Sequence, residues 1–148
     1  MMLTNSAAEV EQFLHTKIPL TRAMGVRVVA ATATEVVIEA PVALNHNHLR
    51  TAFGGSINAL ATVCAYAVLW LDLRAVAAHV VVAESSIRYL RPIRETIRAT
   101  CAVPSAAKFR ELRASLAAEG KARVRLNVAV KEGNVVAAEF SGTFVATR

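Results

Sequence analysis

"GGSINALATVCAYAVLWLDL", residues 54–73, is the stretch on which the fold turns. It is too long for a strand, and at ~1.5 Å per residue it makes a helix of about 30 Å. Apolar residues occupy nearly every side of that helix, so it is either buried in a domain or crosses a membrane. A span needs about 20 apolar residues in a row. Here the unbroken run is only Val63–Leu71, because Asn58 and Thr62 interrupt what precedes it. The reading is a buried central helix, with no membrane span. Such a helix needs a sheet to cover it.

Working outward, the flanks supply that sheet. Residues 6–16 make a short helix, with Ser6 as cap, Glu9 three residues on, and Pro19 as its stop. Residues 24–33 and 34–42 are rich in β-branched residues and read as two strands, although no tight-turn residue marks their join. After the central helix come strands over 79–91 and 95–103. An amphipathic helix follows over 106–119, with Phe109, Leu112 and Leu116 on one side. Strands over 121–131 and 135–146 are joined by "EGN", where Gly133 marks a hairpin. Nothing repeats and no linker divides residues 1–148, so one α+β domain is expected: an antiparallel sheet wrapped around the long helix. A single sheet leaves edges that need partners, which predicts a homodimer or homotetramer.

The chain has 148 residues, 55% of them apolar, and a formal charge of +6. The positive balance favours anionic partners. Five Phe, two Tyr and one Trp do not interleave with the basic residues. No nucleic-acid motif is present either, so no nucleic-acid partner is expected. The opening "MMLTNSAAEVEQFL" carries no basic segment followed by an apolar one, and a cytoplasmic protein is expected. Cys64 and Cys101 read as reduced, buried hydrophobes. His46 and His48 lack the company a metal site needs, so no metal is expected.

Two segments carry a resemblance: "NHNHLRTAFGGSINALAT" (45–62) and "SSIRYLRPI" (85–93). They resemble the glycine turn, buried helix and following strand of the hot-dog fold acyl-CoA thioesterase superfamily. With the later "GKARVRL" (120–126), the chain is most similar to the thioesterase-like C-terminal domain of YiiD-type proteins. The likeness covers about residues 18–147. It implies a hot-dog fold, an acyl-CoA or acyl-carrier-protein substrate, and no cofactor beyond the coenzyme A of the substrate itself.

The resemblance also implies a site. The first N–H groups of a helix lack intrahelical partners, and the dipole makes that end partly positive. Gly54, Gly55 and Ser56 would aim such groups at a thioester carbonyl, with Gly55 N–H polarising it. Where relatives carry His before the glycines, this chain has Phe53. Where they carry a helix carboxylate, it has Thr62, which holds a water at most. Other groups considered for activating water are Asn45, His46, His48 and Glu84. Burial in an apolar strand would raise the pKa of Glu84 and suit it to base catalysis. Asp72 lies about five turns from the glycines and is too distant. Arg88, Arg91, Arg94 and Arg98 form a basic run suited to phosphates or an acidic carrier protein. The alternatives are a catalytically weak acyl-thioester binding domain, or a hot-dog hydratase using His48 with Glu84.

Overall fold

The computed structural model describes residues 6–148. In chain order the elements are α1 (Ser6–Lys17), α2 (Pro19–Ala23), β1 (Arg27–Ala31), β2 (Glu35–Pro41), α3 (Gly54–Leu73), β3 (His79–Tyr89), β4 (Thr96–Ala102), α4 (Ala106–Glu119), β5 (Lys121–Glu132) and β6 (Val135–Thr147). The six strands form one sheet in the order β1-β2-β4-β5-β6-β3. Every pairing is antiparallel.

The sheet curls around α3, the hot-dog arrangement that the sequence predicts. In β5 the residues Ala122, Val124, Leu126, Val128 and Val130 are buried against the helices, while Lys121, Arg123 and Arg125 face solvent. This alternation is the two-residue period of a sheet with one dry face. On α3, Leu60, Ala61, Cys64, Ala65, Ala67, Leu69 and Leu73 are wholly buried. Each large apolar side chain removed from water contributes about 1.5–3 kcal/mol. The helix has the length and composition of a membrane span, but it is packed as the core helix of a soluble domain. Its far end is tied to α4 by an ion pair between Asp72 and Arg113, which places Asp72 away from the glycines.

Several boundaries differ from expectation, each for a local reason. Pro19 does not simply stop α1; it occupies the first turn of the short α2, where its missing N–H costs nothing. The first strand therefore starts only at Arg27, after a turn at Gly25 with φ +71°. The join of β1 and β2 is made by a hydroxyl rather than a glycine. Thr32 Oγ1 accepts from the Thr34 and Glu35 N–H groups, both at 3.2 Å. Ser6 is buried in the first turn of α1, and the position before it lies outside the described residues.

The two sheet edges are treated differently. Along β1, Glu11 of α1 accepts the Val28 N–H at 2.8 Å, and His15 Nε2 donates to the Val26 carbonyl at 2.8 Å. Strand β3 pairs with β6 on one side. No described strand pairs with its other side, and nearly all of its residues are exposed.

Candidate functional site

The connection from β2 to α3 is held by asparagines. Asn45 is buried; its Nδ2 donates to the carbonyls of Met24 (2.9 Å) and Pro41 (2.8 Å). Its own carbonyl accepts the Phe53 N–H at 2.7 Å. Asn45 thereby anchors both ends of the turn, and its side-chain N–H groups are committed. Asn47 Oδ1 accepts from the Leu49 and Thr51 N–H groups at 2.8 and 3.1 Å, which lets Arg50 take φ +66°. Ala52 N–H donates to the Ile93 carbonyl at 2.8 Å, which ties the turn to the segment after β3. His46 and His48 are exposed on this loop.

Phe53 leads into α3 in an extended conformation. Its carbonyl accepts from both Ser56 N–H (2.9 Å) and Ile57 N–H (3.1 Å). The Ser56 N–H, expected to serve a ligand, is thus used by the helix itself. Among the described residues, the N–H groups of Gly54 and Gly55 find no acceptor. Both glycines make room for aromatic rings. A Cβ on Gly55 would come within 2.5 Å of the Phe53 ring, and one on Gly54 within 3.4 Å of Tyr89. The Tyr89 hydroxyl donates to the Gly54 carbonyl at 2.9 Å, pinning β3 to the helix start. Beside this point is a cleft of about 330 Å³ lined by Ala52, Gly54, Ile57, Tyr89, Leu90 and Arg91.

Thr62 is two turns further along, and its hydroxyl donates to the Asn58 carbonyl at 2.8 Å. That is the backbone bond a helical threonine commonly makes. Glu84 departs from expectation. It is exposed, and it pairs across the sheet with Thr143, which in turn pairs with Arg125. Arg125 is on the solvent face, so Glu84 faces away from α3. The cause is a bulge between Val82 and Glu84, which reverses the alternation set by Val80 and Val82. Glu84 and α3 therefore lie on opposite faces of the sheet, and the burial expected for this carboxylate is not found.

The basic run also divides. Arg91 lines the cleft at Gly54. Arg88 is on the outer face, 3.5 Å from Glu139. Arg98 pairs with Glu39. Arg94 and Arg98 line a different cleft of about 770 Å³, shared with Glu39, Glu95 and Glu132. It carries mixed charge and shares no lining residue with the cleft at Gly54. Both thiols are buried: burial pushes Cys64 well above its ordinary range and Cys101 up to about 12, so neither is a ready nucleophile. Sequence reasoning missed the part played by Tyr89. It stood inside the quoted "YLRP", but only the fold brings its hydroxyl to Gly54.

The family model described as "Putative thioesterase (yiiD_Cterm)" matches residues 7–148. A "putative thioesterase" from Shewanella oneidensis is 27% identical with a TM-score of 0.85; the match covers 97% of this chain and 99% of that one. A protein of unknown function from Chlorobaculum tepidum TLS superposes with a TM-score of 0.91 at 23% identity, covering 99% and 96% of the two chains. A "Probable Thioesterase" from Pseudomonas aeruginosa gives 0.83 at 23% identity, with 95% of each chain covered. The fold is thus the hot-dog fold of thioesterases, and the chain belongs to the thioesterase family of the YiiD C-terminal domain.

Proposed function

We propose that the protein hydrolyses acyl thioesters, carried on coenzyme A or on acyl carrier protein, at the N-terminal end of α3. The observation that carries this reading is the pair of N–H groups at Gly54 and Gly55, without acceptors among the described residues and beside a cleft. A thioester carbonyl accepts from the Gly55 N–H, and the oxyanion formed on attack is held there. One such donor is worth roughly 3–4 kcal/mol. Water forms the new bond to the carbonyl carbon, the C–S bond breaks, and acid and thiol leave. Arg91 meets the anionic carrier, either the coenzyme A phosphates or an acidic protein surface. The working unit is a cytoplasmic homodimer assembled across the open β3 edge, or a homotetramer made of two such dimers. It needs no cofactor beyond the coenzyme A of its substrate.

One observation favours a second reading, a weak acyl-thioester binder. The Thr62 position has no carboxylate, and its hydroxyl is bound to the helix backbone. The hydratase alternative loses its pair, because Glu84 faces away from α3 while His48 is on the loop before the helix. A panel of acyl-CoAs and acyl-carrier proteins, with released thiol measured, separates the two remaining readings. Turnover establishes the hydrolase. Tight binding of a non-hydrolysable acyl-CoA thioether without turnover of any panel member establishes the binder.

A further inference from the structure

We infer that Tyr89 is a positioning residue for the hydrolysis proposed above: through the Gly54 carbonyl it aims and strengthens the Gly55 N–H. The assignment rests on the hydrolase reading. The Tyr89 hydroxyl donates to the Gly54 carbonyl at 2.9 Å. That carbonyl and the Gly55 N–H are the two ends of one peptide group, which is planar and rigid. What is bound at the oxygen is therefore felt at the N–H. The Gly55 N–H finds no acceptor among the described residues, and it is the donor offered to the thioester carbonyl.

The fold does not need this bond for its own completion. Tyr89 is 52% exposed, so solvent could serve its hydroxyl equally well. The Gly54 carbonyl stands in the first turn of α3, where the N–H four residues on already takes one of its lone pairs. The turn before the helix has ties of its own. Phe53 N–H donates to the Asn45 carbonyl at 2.7 Å, and Ala52 N–H to the Ile93 carbonyl at 2.8 Å. The tyrosine is nonetheless held firmly against the glycine. A Cβ on Gly54 would lie 3.4 Å from both its Cζ and its hydroxyl oxygen. Just past it, the Leu90 and Arg91 N–H groups both donate to the Ala137 carbonyl, at 2.8 and 3.1 Å, which fixes the end of β3.

Two effects reach the Gly55 N–H. A peptide that accepts a hydrogen bond at its oxygen donates a stronger one from its nitrogen, by roughly 10–30% per bond. A peptide plane gripped at its oxygen also rocks less, so the N–H direction is set before charge develops on the substrate. Such preorganisation is what an oxyanion donor requires. Tyr89 supplies it without touching the reacting atoms, because its one O–H is spent on Gly54. The other polar side chains of the turn are committed elsewhere: Asn45 Nδ2 to the Met24 and Pro41 carbonyls, and the Thr62 hydroxyl to the Asn58 carbonyl.

The test is Tyr89→Phe, which keeps the ring beside Gly54 and removes only the O–H. On the best acyl thioester of the panel kcat falls about 3- to 10-fold, while KM stays within about twofold. A spectroscopic readout separates this from a structural loss. A ketone analogue of that substrate, with a methylene between an isotope-labelled carbonyl and the sulfur, cannot be hydrolysed and presents its C=O to the same N–H. A weaker donor leaves the infrared carbonyl stretch of the bound ketone at higher frequency in Tyr89→Phe than in wild type. Unchanged kcat, a loss confined to KM, or a fall in kcat with an unmoved carbonyl band each overturns the assignment and leaves the hydrolase reading standing. Absence of turnover by wild type on every panel member overturns the hydrolase reading, and this assignment with it.

Discussion

The two edges of the sheet are opposites. At β1, side chains from α1 occupy edge backbone groups: Glu11 takes the Val28 N–H and His15 supplies a donor to the Val26 carbonyl. At β3, eleven residues run along an uncovered edge, with Val81 62% and Val82 41% exposed. An open edge of that length is a template for another strand. One end of the sheet is thus closed by the chain's own helix, and the other is left open among the described residues. The contrast also places the glycine turn. Tyr89, the last residue of the open strand, holds the helix start, so whatever pairs with β3 bears on the site as well.

The largest test of this contrast changes the open edge. Val81→Lys with Ala83→Lys puts like charges where two copies of β3 would meet. That costs several kcal/mol, on the order of a hundredfold or more in the dimer dissociation constant. Sedimentation velocity should show a dimer for wild type and a monomer for the double variant. A monomeric wild type would break the comparison. At the closed edge, Glu11→Ala removes the acceptor of the Val28 N–H and should lower the unfolding free energy by about 1–3 kcal/mol. Urea denaturation reads this directly, and an unchanged midpoint would mean that α1 only leans on β1. The smallest effect is expected where the open strand meets the helix. Tyr89→Phe keeps the ring against Gly54 and loses one hydrogen bond, worth about 0.5–1.5 kcal/mol. The same urea series should rank it below Glu11→Ala.

The parts of this fold that were legible in the sequence depended on one signal each. The helix over 54–73 was marked by a glycine pair and an apolar run, and α4 by Phe109, Leu112 and Leu116 on one side; both match residue for residue. Ser105 accepts the Lys108 N–H at 3.1 Å, and Gly120 takes φ +73°. Where two signals compete, reading failed. Pro19 both ends one helix and begins another, and only the stop was seen. The bulge in β3 has no residue signature, yet it turns Glu84 outward and Ser85 inward, so an apolar strand does not bury Glu84 as expected. The arginine run was contiguous in sequence, but strand pairing divides it between two faces and two clefts. The free N–H groups at Gly54 and Gly55 follow from helix geometry and were readable. The loss of Ser56 N–H to the Phe53 carbonyl was not, because it depends on how the first turn closes.

The Phe53 ring standing against Gly55 bears on timing. The ring is 55% exposed, and exposed side chains rotate within picoseconds to nanoseconds. A lid built from backbone moves on microseconds to milliseconds, the range in which gating limits many enzymes. Here the group that must yield beside Gly55 is a single side chain on an otherwise anchored turn, fixed by Asn45 and Asn47. Admission to the helix start is therefore fast compared with a typical turnover of about 1–10³ per second. The pace of any reaction at this site is set by the chemical step or by release of products. Solvent viscosity should leave the chemical step unchanged and slow only the release.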